Sequence, residues 1–300
     1  MNKQTRLLIF GEVLFDCFPS GEQILGGAPF NVAWHLQALG DCPLFISRVG
    51  KDERGAGILE AMRGWGMETG GVQVDAAHPT GRVEVTIVKN EPSYDIVADS
   101  AYDFIAADEL PDPGHCSGGI LYHGTLALRH PTARLALDEL RKRNNLKVFI
   151  DVNLRPPRWQ RDMVLDLLKN AHWAKMNQDE LQQLAGTAAD MHEQMAVLQA
   201  ACGLEQLIVT RGEHGVLVRT DLGAVHVLQP EKVERLVDTV GAGDAFSAVY
   251  LHGLLAGWPV AETVNLAQSF AGKVIGLRGA TTADPVFYQE VKKLFASVRC

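Results

Sequence analysis

Residues 7–38 read LLIFGEVLFDCFPSGEQILGGAPFNVAWHLQA and contain the pattern on which the fold prediction rests. The stretch begins with a short apolar run, Leu7–Phe10, whose length and polar flanks predict a buried β-strand. After a glycine-rich turn, four apolar residues follow at helical spacing: Phe30, Ala33, Trp34 and Ala38. A strand, a turn and a helix in succession predict the repeating unit of an α/β protein.

The same alternation continues along the chain. Short apolar runs predict further strands at residues 44–47, 120–122, 148–150, 173–176 and 207–209. Leu135, Leu137 and Leu140 mark one helix, and helical patterns also cover residues 244–255, 261–277 and 285–298. This order predicts a mostly parallel sheet with helices on both faces. Because we find no linker and no internal repeat, we expect residues 1–300 to form a single domain.

Residues 81–97 depart from this order. Residues 81–88 alternate apolar and polar side chains, which is typical of a strand exposed on one face. A turn at Asn90-Glu-Pro-Ser93 and a second short strand at 94–97 complete a β-hairpin outside the main sheet. The hairpin is either a plain surface feature or a lid over a site at the edge of the sheet.

The composition excludes several classes of protein. Of 300 residues, 47% are hydrophobic, and the net charge of −8 is opposite to the basic footprint of a nucleic-acid binder. No apolar run approaches the ~18–20 residues of a membrane span. The cysteines are scattered, odd in number and never in a CxxC pair, at Cys17, Cys42, Cys116, Cys202 and Cys300. We therefore expect a cytoplasmic protein with no nucleic-acid or membrane partner.

The common phosphate-binding and zinc motifs are absent from the sequence. Gly50-Lys51 precedes Asp52, and Gly272-Lys273 precedes Val274, where a Walker loop requires Ser or Thr. The dinucleotide pattern GxGxxG fails at Phe246. There is no HExxH, and the ten histidines show no metal-ligand spacing.

A glycine-rich turn at Asp238-Thr-Val-Gly241-Ala-Gly243-Asp244 precedes an apolar helical run. Small residues at a helix N-terminus leave backbone N–H groups open to an anion, and the helix dipole favours negative charge there. Asp244 would then lie where a phosphoryl group binds and could accept a proton from an attacking hydroxyl. Alternatively, Asp238 or Asp244 simply caps the helix.

A second glycine-rich turn, Gly26-Gly27-Ala-Pro-Phe-Asn31, also precedes a helix. Its glycines allow close backbone approach, and Pro29 suits the first helical turn. Asn31 then presents an amide suited to sugar hydroxyls, or it is a solvated residue of a tight turn. Upstream, Asp16 provides a carboxylate at the end of the first strand, where open α/β sheets bind ligands; a loop cap is an equal alternative.

Together these stretches resemble the two sequence signatures of the ribokinase-like (PfkB) carbohydrate kinase family. The first is a GG-x-x-x-N turn, here Gly26 to Asn31, with Gly40 and Gly50 following at about the expected distances. The second is the D-T-x-G-A-G-D stretch that ends at Asp244. The resemblance covers essentially the whole chain. The form GGAPFNVA and the sequence DVNLRPPRW at 151–159 are most similar to the fructokinase branch.

This resemblance implies an α/β fold of the ribokinase-like type, a three-layer αβα sandwich with a mostly parallel sheet and a small β lid from about residues 12–25 and 81–100. It also implies transfer of the γ-phosphoryl group of ATP to a sugar hydroxyl, with fructose 6-phosphate as the expected product. Asp244 matches the family's general base, and the anion hole is matched by Gly241, Ala242 and Gly243. The sugar-binding positions are matched by Asp16, Gly27 and Asn31, and the resemblance implies that Arg155 reaches either the substrate or the phosphate.

The resemblance extends to cofactor positions. Asn177-Gln-Asp-Glu180 resembles an N-x-x-E motif in which Glu180 positions Mg²⁺ through water; by itself it is an acidic first helical turn. The T-x-G-x-x-G loop that touches ATP is matched by Thr210, Gly212 and Gly215, and otherwise reads as a glycine-rich hairpin. The resemblance also implies that Gln268 lies near the adenine. Asn177 and Gly243 complete the set of ATP-binding positions. A monovalent-cation site, which implies K⁺, is matched by Asp238, Val240 and Gly279.

In relatives the lid often pairs with its twin, and an exposed hairpin edge invites such pairing, so we expect a homodimer. Three alternatives to a fructokinase stay open at this point. One is a kinase of the same fold for 2-keto-3-deoxygluconate or another small sugar, and a second is an adenosine or nucleoside kinase. The third, a non-catalytic sugar or nucleotide sensor, is disfavoured because the base, the anion hole and the acidic motif are all present.

Overall fold

The structure is a computed structural model that describes residues 7–88, 91–112, 118–144, 146–157, 159–186, 190–228 and 237–295. Several positions used above lie outside these ranges: Asn90, Cys116, Arg158, residues 296–298 of the last helix, and Cys300. The three described cysteines (Cys17, Cys42 and Cys202) are free. Within the described ranges, no helix is both long and apolar enough to cross a membrane.

The described chain alternates strands and helices for most of its length. The strands are β1 (Leu7–Phe10), β2 (Leu14–Cys17), β3 (Gln23–Gly26), β4 (Leu44–Gly50), β5 (Val72–Asp75), β6 (Gly81–Val88), β7 (Glu91–Ile96), β8 (Ile120–His123), β9 (Lys147–Asp151), β10 (Trp173–Asn177), β11 (Gln206–Thr210), β12 (Val216–Thr220) and β13 (Val225–Leu228). The helices are α1 (Ala28–Leu39), α2 (Glu53–Gly64), α3 (Pro131–Asn144), α4 (Arg161–Lys169), α5 (Gln178–Ala185), α6 (Met191–Cys202), α7 (Ala242–Ala256), α8 (Val260–Val274) and α9 (Pro285–Phe295).

The larger sheet has the strand order β13-β12-β11-β10-β9-β8-β1-β4-β5. In this order, each strand from β11 through β10, β9, β8, β1 and β4 to β5 pairs in parallel with the next. The strand β12 pairs antiparallel with both β11 and β13. All six strands predicted from apolar runs lie in the parallel part. The prediction of a mostly parallel sheet is therefore confirmed, because strands buried on both faces leave continuous apolar runs in the sequence.

Helices cover both faces of the larger sheet, as the alternation along β1 illustrates. Leu7 and Ile9 belong to one core, which contains residues of α1, α7, α8 and α9. Leu8 and Phe10 point the other way, into a second core that contains residues of α3, α4, α5 and α6. Each large apolar side chain buried in these cores contributes about 2–3 kcal/mol. The result is the predicted three-layer sandwich.

Two helix details differ from the sequence prediction. Leu135 lies in α3 as expected, but it is 66% exposed, because it points away from the buried face that carries Leu137 and Leu140. The second helix near the C-terminus was expected to reach Leu277 but ends at Val274. The chain leaves the helix there, and the Ile275 carbonyl oxygen instead accepts hydrogen bonds from the backbone N–H groups of residues 237 and 238.

The predicted hairpin outside the main sheet is confirmed and belongs to a second, smaller sheet with the order β3-β2-β6-β7. Its predicted turn at residues 90–93 is wrong, because β7 already begins at Glu91 and includes Pro92. Proline is tolerated here since β7 is an edge strand. Asp16 was expected at the end of the first strand; β1 stops at Phe10, and Asp16 lies in β2 of the smaller sheet.

Polar contacts of arginine side chains attach the smaller sheet to the rest of the chain. The buried guanidinium of Arg129 donates to both carboxylate oxygens of Asp103, at 2.6 and 2.7 Å, and to the Val97 carbonyl oxygen just after β7, at 2.8 Å. At the other end, Arg278 Nη2 donates to Glu22 Oε2 at 2.6 Å, in the turn between β2 and β3. The smaller sheet is thereby held beside the loop that follows α8.

Candidate active site

Gly241 is the N-cap residue of α7, and no side chain of the described residues caps this helix. This excludes the alternative in which Asp238 or Asp244 is the helix cap. Gly241 has φ +81°, and a Cβ at this position would collide with Ala280. Only glycine therefore fits, and Asp244 becomes the third residue of the helix, with its side chain available for another partner.

That partner is Asn31. Asn31 Nδ2 donates a hydrogen bond to Asp244 Oδ2 at 2.8 Å across 213 positions of sequence. Asn31 lies in the first turn of α1, which follows the Gly26-Gly27 turn. Gly27 has φ +111°, and a Cβ there would lie 2.8 Å from the Glu12 carbonyl oxygen, so the turn can approach the end of β1 only without a side chain. The two glycine-rich turns thus bring the two predicted site residues into contact.

The environment of Asp244 makes its carboxylate a base suited to neutral pH. The pKa of Asp244 is raised to about 6, mainly by burial; the nearby Asp151 carboxylate also raises it, whereas the Asn31 hydrogen bond, Lys175 and Arg155 lower it. A carboxylate with this pKa is mostly ionised at pH 7. It also holds a transferred proton more readily than an ordinary aspartate does.

The predicted sugar-binding residues lie around Asn31. Gly26 lies between Asn31 and Asp16, because a Cβ on it would be 3.8 Å from Asn31 Oδ1 and 4.0 Å from Asp16 Oδ2. Burial raises the pKa of Asp16, the charge of Arg155 lowers it, and that of Asp238 raises it, so these three groups lie within electrostatic reach of one another. Asn31 Oδ1 is buried without a hydrogen-bond partner among the described residues. The site therefore offers an acceptor suited to a hydroxyl donor.

The residues of the predicted monovalent-cation site lie together. The Asp238 carboxylate accepts from the Val240 backbone N–H at 3.0 Å and from the Gly279 N–H at 3.3 Å, which ties two separate segments. Gly279 has φ +78° and lies beside Ile24 of β3. Among the described residues, no group of three or more His, Cys, Asp or Glu side chains could hold a metal ion.

The N-x-x-E motif forms a complete capping box on α5. Asn177 Oδ1 accepts from the Glu180 N–H, and Glu180 Oε2 accepts from the Asn177 N–H, both at 2.8 Å. Glu180 Oε1 accepts from the Leu154 N–H at 2.7 Å. Burial raises the pKa of Glu180. Each oxygen of the carboxylate accepts one backbone hydrogen bond and keeps a lone pair that could accept from metal-bound water.

The predicted ATP-binding residues are only partly brought together. Thr210 ends β11 directly opposite Asn177, which ends β10, so both lie at the carboxyl edge of the parallel sheet. Gly212 and Gly215, with φ of +55° and +84°, shape the loop between β11 and β12. Gln268 is half-buried on α8, and no hydrogen bond among the described residues joins it to Asp244 or its neighbours.

Sequence reasoning missed a set of buried polar groups next to Asp244. Lys175 lies in the middle of β10, and its Nζ is 2.7 Å from Asp151 Oδ2. Ser247 and Tyr122 also donate to Asp151 Oδ2, at 2.8 and 3.3 Å. The available signal was a single lysine inside the apolar run Trp-Ala-Lys-Met, which is unusual because buried lysines are rare without a partner.

Comparison with known proteins identifies the class of protein that this fold and site define. The sequence model of the pfkB family carbohydrate kinases matches residues 11–286. The chain is 32% identical to a fructokinase from Klebsiella pneumoniae over 300 residues, covering 93% of this chain and 96% of that protein. It is 26% identical to a 5-dehydro-2-deoxygluconokinase from Geobacillus thermodenitrificans, covering 88% and 82%. The chain belongs to the pfkB family of carbohydrate kinases.

Solved structures confirm the ribokinase-like fold. A fructokinase from Xylella fastidiosa with bound ATP superposes with a TM-score of 0.86 at 23% identity, covering 98% of this chain and 100% of that one. A fructokinase double mutant from Vibrio cholerae, with fructose, ADP and potassium bound, gives a TM-score of 0.81 at 24% identity, covering 99% of both chains. The protein is thus a carbohydrate kinase, as its sequence motifs predict.

Proposed function

We propose that this kinase phosphorylates fructose and produces fructose 6-phosphate. The observation that carries the proposal is the double role available to Asn31. Its Nδ2 donates to Asp244, while its buried Oδ1, near Asp16, has no hydrogen-bond partner in the described part of the chain. A sugar with one hydroxyl on Asn31 Oδ1 and another on Asp16 would present a third hydroxyl to Asp244. The fructokinase relative at 32% identity supports fructose as that sugar.

In the proposed reaction, Asp244 accepts the proton of the attacking hydroxyl. The sugar oxygen forms a bond to the γ-phosphorus of ATP, the bond between that phosphorus and the β,γ-bridging oxygen breaks, and ADP leaves with the electron pair. Backbone N–H groups of Gly241, Ala242 and Gly243 at the start of α7 face the charge that develops on the phosphoryl group. General-base assistance of this kind typically contributes about 10²- to 10⁴-fold in rate.

Two cations accompany this proposal. Mg²⁺, when bound, would neutralise phosphate charge, and Glu180 would hold it through water because Mg²⁺ tends to keep several of its waters. K⁺ would be held by the loop of Asp238, Val240 and Gly279, whose two segments are tied by the Asp238 side chain. Replacing K⁺ by Li⁺ should lower both the rate and the melting temperature; unchanged values would contradict a K⁺ site.

We further propose that the smaller sheet is a lid on a single domain of residues 1–300, in a cytoplasmic enzyme. Asp16 lies in this sheet, and Ile24 contacts the Gly279 loop, so its movement would open the sugar site. Its edge strand β7 carries Tyr94, which is 53% exposed, and we propose that two copies pair along this edge as a homodimer. Sedimentation that detects only monomer at micromolar concentration would contradict the dimer.

The second candidate function is phosphorylation of a related keto sugar acid. It is favoured by the 5-dehydro-2-deoxygluconokinase relative, which covers 88% of this chain. Arg155 is exposed at the site and could pair with a sugar carboxylate, which fructose lacks. Asp16 lies within reach of the same guanidinium and would repel that carboxylate, so fructose is the preferred acceptor.

The test is sugar-dependent ADP release with a panel of acceptors: fructose, 5-dehydro-2-deoxygluconate, 2-keto-3-deoxygluconate, ribose and adenosine. Fructose is expected to give the highest kcat/KM, and ATP hydrolysis without sugar serves as the background. If another acceptor gives a kcat/KM at least about tenfold higher than fructose does, that acceptor and not fructose is the preferred substrate. Measurable fructose binding with no turnover on any acceptor would instead indicate a non-catalytic sensor.

A further inference from the structure

A buried ion pair lies beneath the phosphoryl-transfer site. Lys175 and Asp151 are directly opposite each other on the neighbouring strands β10 and β9, and their charged atoms are 2.7 Å apart. The exposed fractions of their side chains are only 7% and 4%. Nothing in the reaction proposed above uses either residue.

The ion pair is connected to the start of α7 in two ways. A Cβ on Gly243 would lie 3.3 Å from Lys175 Nζ, so the ammonium group packs directly against the Gly243 backbone. Ser247 Oγ lies 2.8 Å from Asp151 Oδ2 and 3.0 Å from the Gly243 carbonyl oxygen, one helical turn away. The pair therefore touches the turn that contains the anion hole and precedes Asp244.

Stability alone does not explain why this pair is buried. Removing two charges from water costs about as much as their mutual attraction returns, and well-packed apolar side chains at such positions are commonly as stabilising. A Lys–carboxylate pair next to the proposed anion hole, on the strand that leads to Glu180, instead suggests a role in the reaction. The charges of Lys175 and Asp151 act on both Asp244 and Glu180.

We propose that Lys175 is a positioning residue for phosphoryl transfer, whose ammonium group, held by Asp151 under Gly243, fixes the first turn of α7 and supplies positive charge beneath the anion hole. The inference rests on the proposed function in taking Asp244 as the base. It adds a fixed cation of the protein next to the backbone of Gly243, where the phosphoryl group is proposed to bind. Lysine is suited to this position because it is a compact charge on a stem that packs in the apolar strand.

The two members of the ion pair should shift the pKa of Asp244 in opposite directions. The Lys175 ammonium lowers the pKa of Asp244, and the Asp151 carboxylate raises it. The other groups that face Asp244 come from each surrounding segment: Asn31 of α1, Arg155 after β9, Glu12 after β1 and Tyr122 of β8. These groups are unchanged in variants of the pair, so a difference between the variants reports on the pair itself.

The first test is a carboxyl ¹³C NMR titration of aspartate-labelled enzyme, with the Asp244 signal assigned through Asp244→Asn. Lys175→Met should raise the titration midpoint of Asp244 by about one pH unit, and Asp151→Asn should lower it by a similar amount. The matched control is Lys147→Met, which removes an exposed ion pair with Glu205 at the other end of β9 and should leave the midpoint unchanged. Shifts of the same sign in both variants, or none, would overturn the proposal.

The second test covers the case in which a single variant leaves a buried charge unpaired and fails to fold. The double variant Lys175→Met/Asp151→Asn removes both charges and should fold with a melting temperature close to that of the wild type. We expect its kcat to fall at least about tenfold on the best acceptor of the panel, with the sugar KM little changed. A wild-type kcat in the folded double variant would overturn the proposal. Because the NMR titration involves no sugar, it separates this outcome from a wrong acceptor.

Discussion

Replacing Asn31 by Ala tests the link between the two glycine-rich turns. The substitution removes the hydrogen bond from Asn31 Nδ2 to Asp244 Oδ2 and leaves the α1 backbone intact. That hydrogen bond lowers the pKa of Asp244, which is about 6 in the wild type because burial raises it more than the hydrogen bond lowers it. The variant should therefore need a higher pH to ionise its base.

The expected size of this pKa shift follows from the length and burial of the hydrogen bond. A 2.8 Å hydrogen bond to a buried charged group contributes about 1.5–3 kcal/mol, which corresponds to roughly one to two pH units. The acid limb of kcat/KM should move from near pH 6 in the wild type to between about pH 7 and 8. The sugar KM should also rise about tenfold at every pH, because Asn31 Oδ1 no longer accepts a substrate hydroxyl.

The assay is a coupled measurement of ADP release from pH 5.5 to 9 at saturating ATP. Gln37→Ala is the matched control, since it removes a side-chain amide from the same helix, where Gln37 Nε2 donates to the Gly66 carbonyl oxygen. The control should keep the wild-type pH profile and KM. An unshifted acid limb in a folded Asn31→Ala protein would refute the assignment of the Asn31–Asp244 hydrogen bond to base activation.

Two further substitutions test the supports of the site. Gly241→Ala should lower both the melting temperature and kcat, because the added Cβ collides with Ala280. The control is Gly257→Ala, where φ is +69° but no atom lies within 4 Å of the added Cβ, so the free energy of unfolding should fall only by the ~1–2 kcal/mol of left-handed backbone strain. Equal losses of stability in the two variants would contradict the collision. Burial raises the pKa of Glu12 from 4.5 to about 7. The folded state therefore keeps this proton to a higher pH than the unfolded state does, and the free energy of unfolding falls as the pH rises between these two values. In urea titrations between pH 4.5 and 8, the free energy of unfolding of the wild type should fall by about 3 kcal/mol more than that of Glu12→Gln. If both proteins show the same dependence of stability on pH, the raised pKa of Glu12 is refuted.

Much of the fold follows from local patterns that survive in the sequence. The six parallel strands are recognisable because both of their faces are buried, which leaves unbroken apolar runs. Gly27 and Gly241 are recognisable for a different reason: each occupies a backbone position where a Cβ collides with a distant segment. Such positions restrict the residue type so strongly that the motif marks the site.

Other features depend on contacts that a linear pattern does not contain. Pro92 suggested a turn, because whether a strand lies at an edge is decided by the assembled sheet. The sequence alone predicts Asp16 at the end of β1, because the short strand β2 follows closely; the break at Gly11, with φ +152°, is evident only in the structure. Lys175 was read as part of an apolar strand, because its partner Asp151 becomes adjacent only through the register of β9 and β10.

The most direct measurement of the central claim compares the wild type with Asp244→Asn, using ATP, Mg²⁺ and fructose at pH 8. The proposed role of Asp244 predicts that the amide variant folds, still binds ATP, and forms fructose 6-phosphate about 10²- to 10⁴-fold more slowly. It also predicts that the residual rate no longer follows an acid limb near pH 6. Near-wild-type turnover in the folded variant would contradict the assignment of Asp244 as the base.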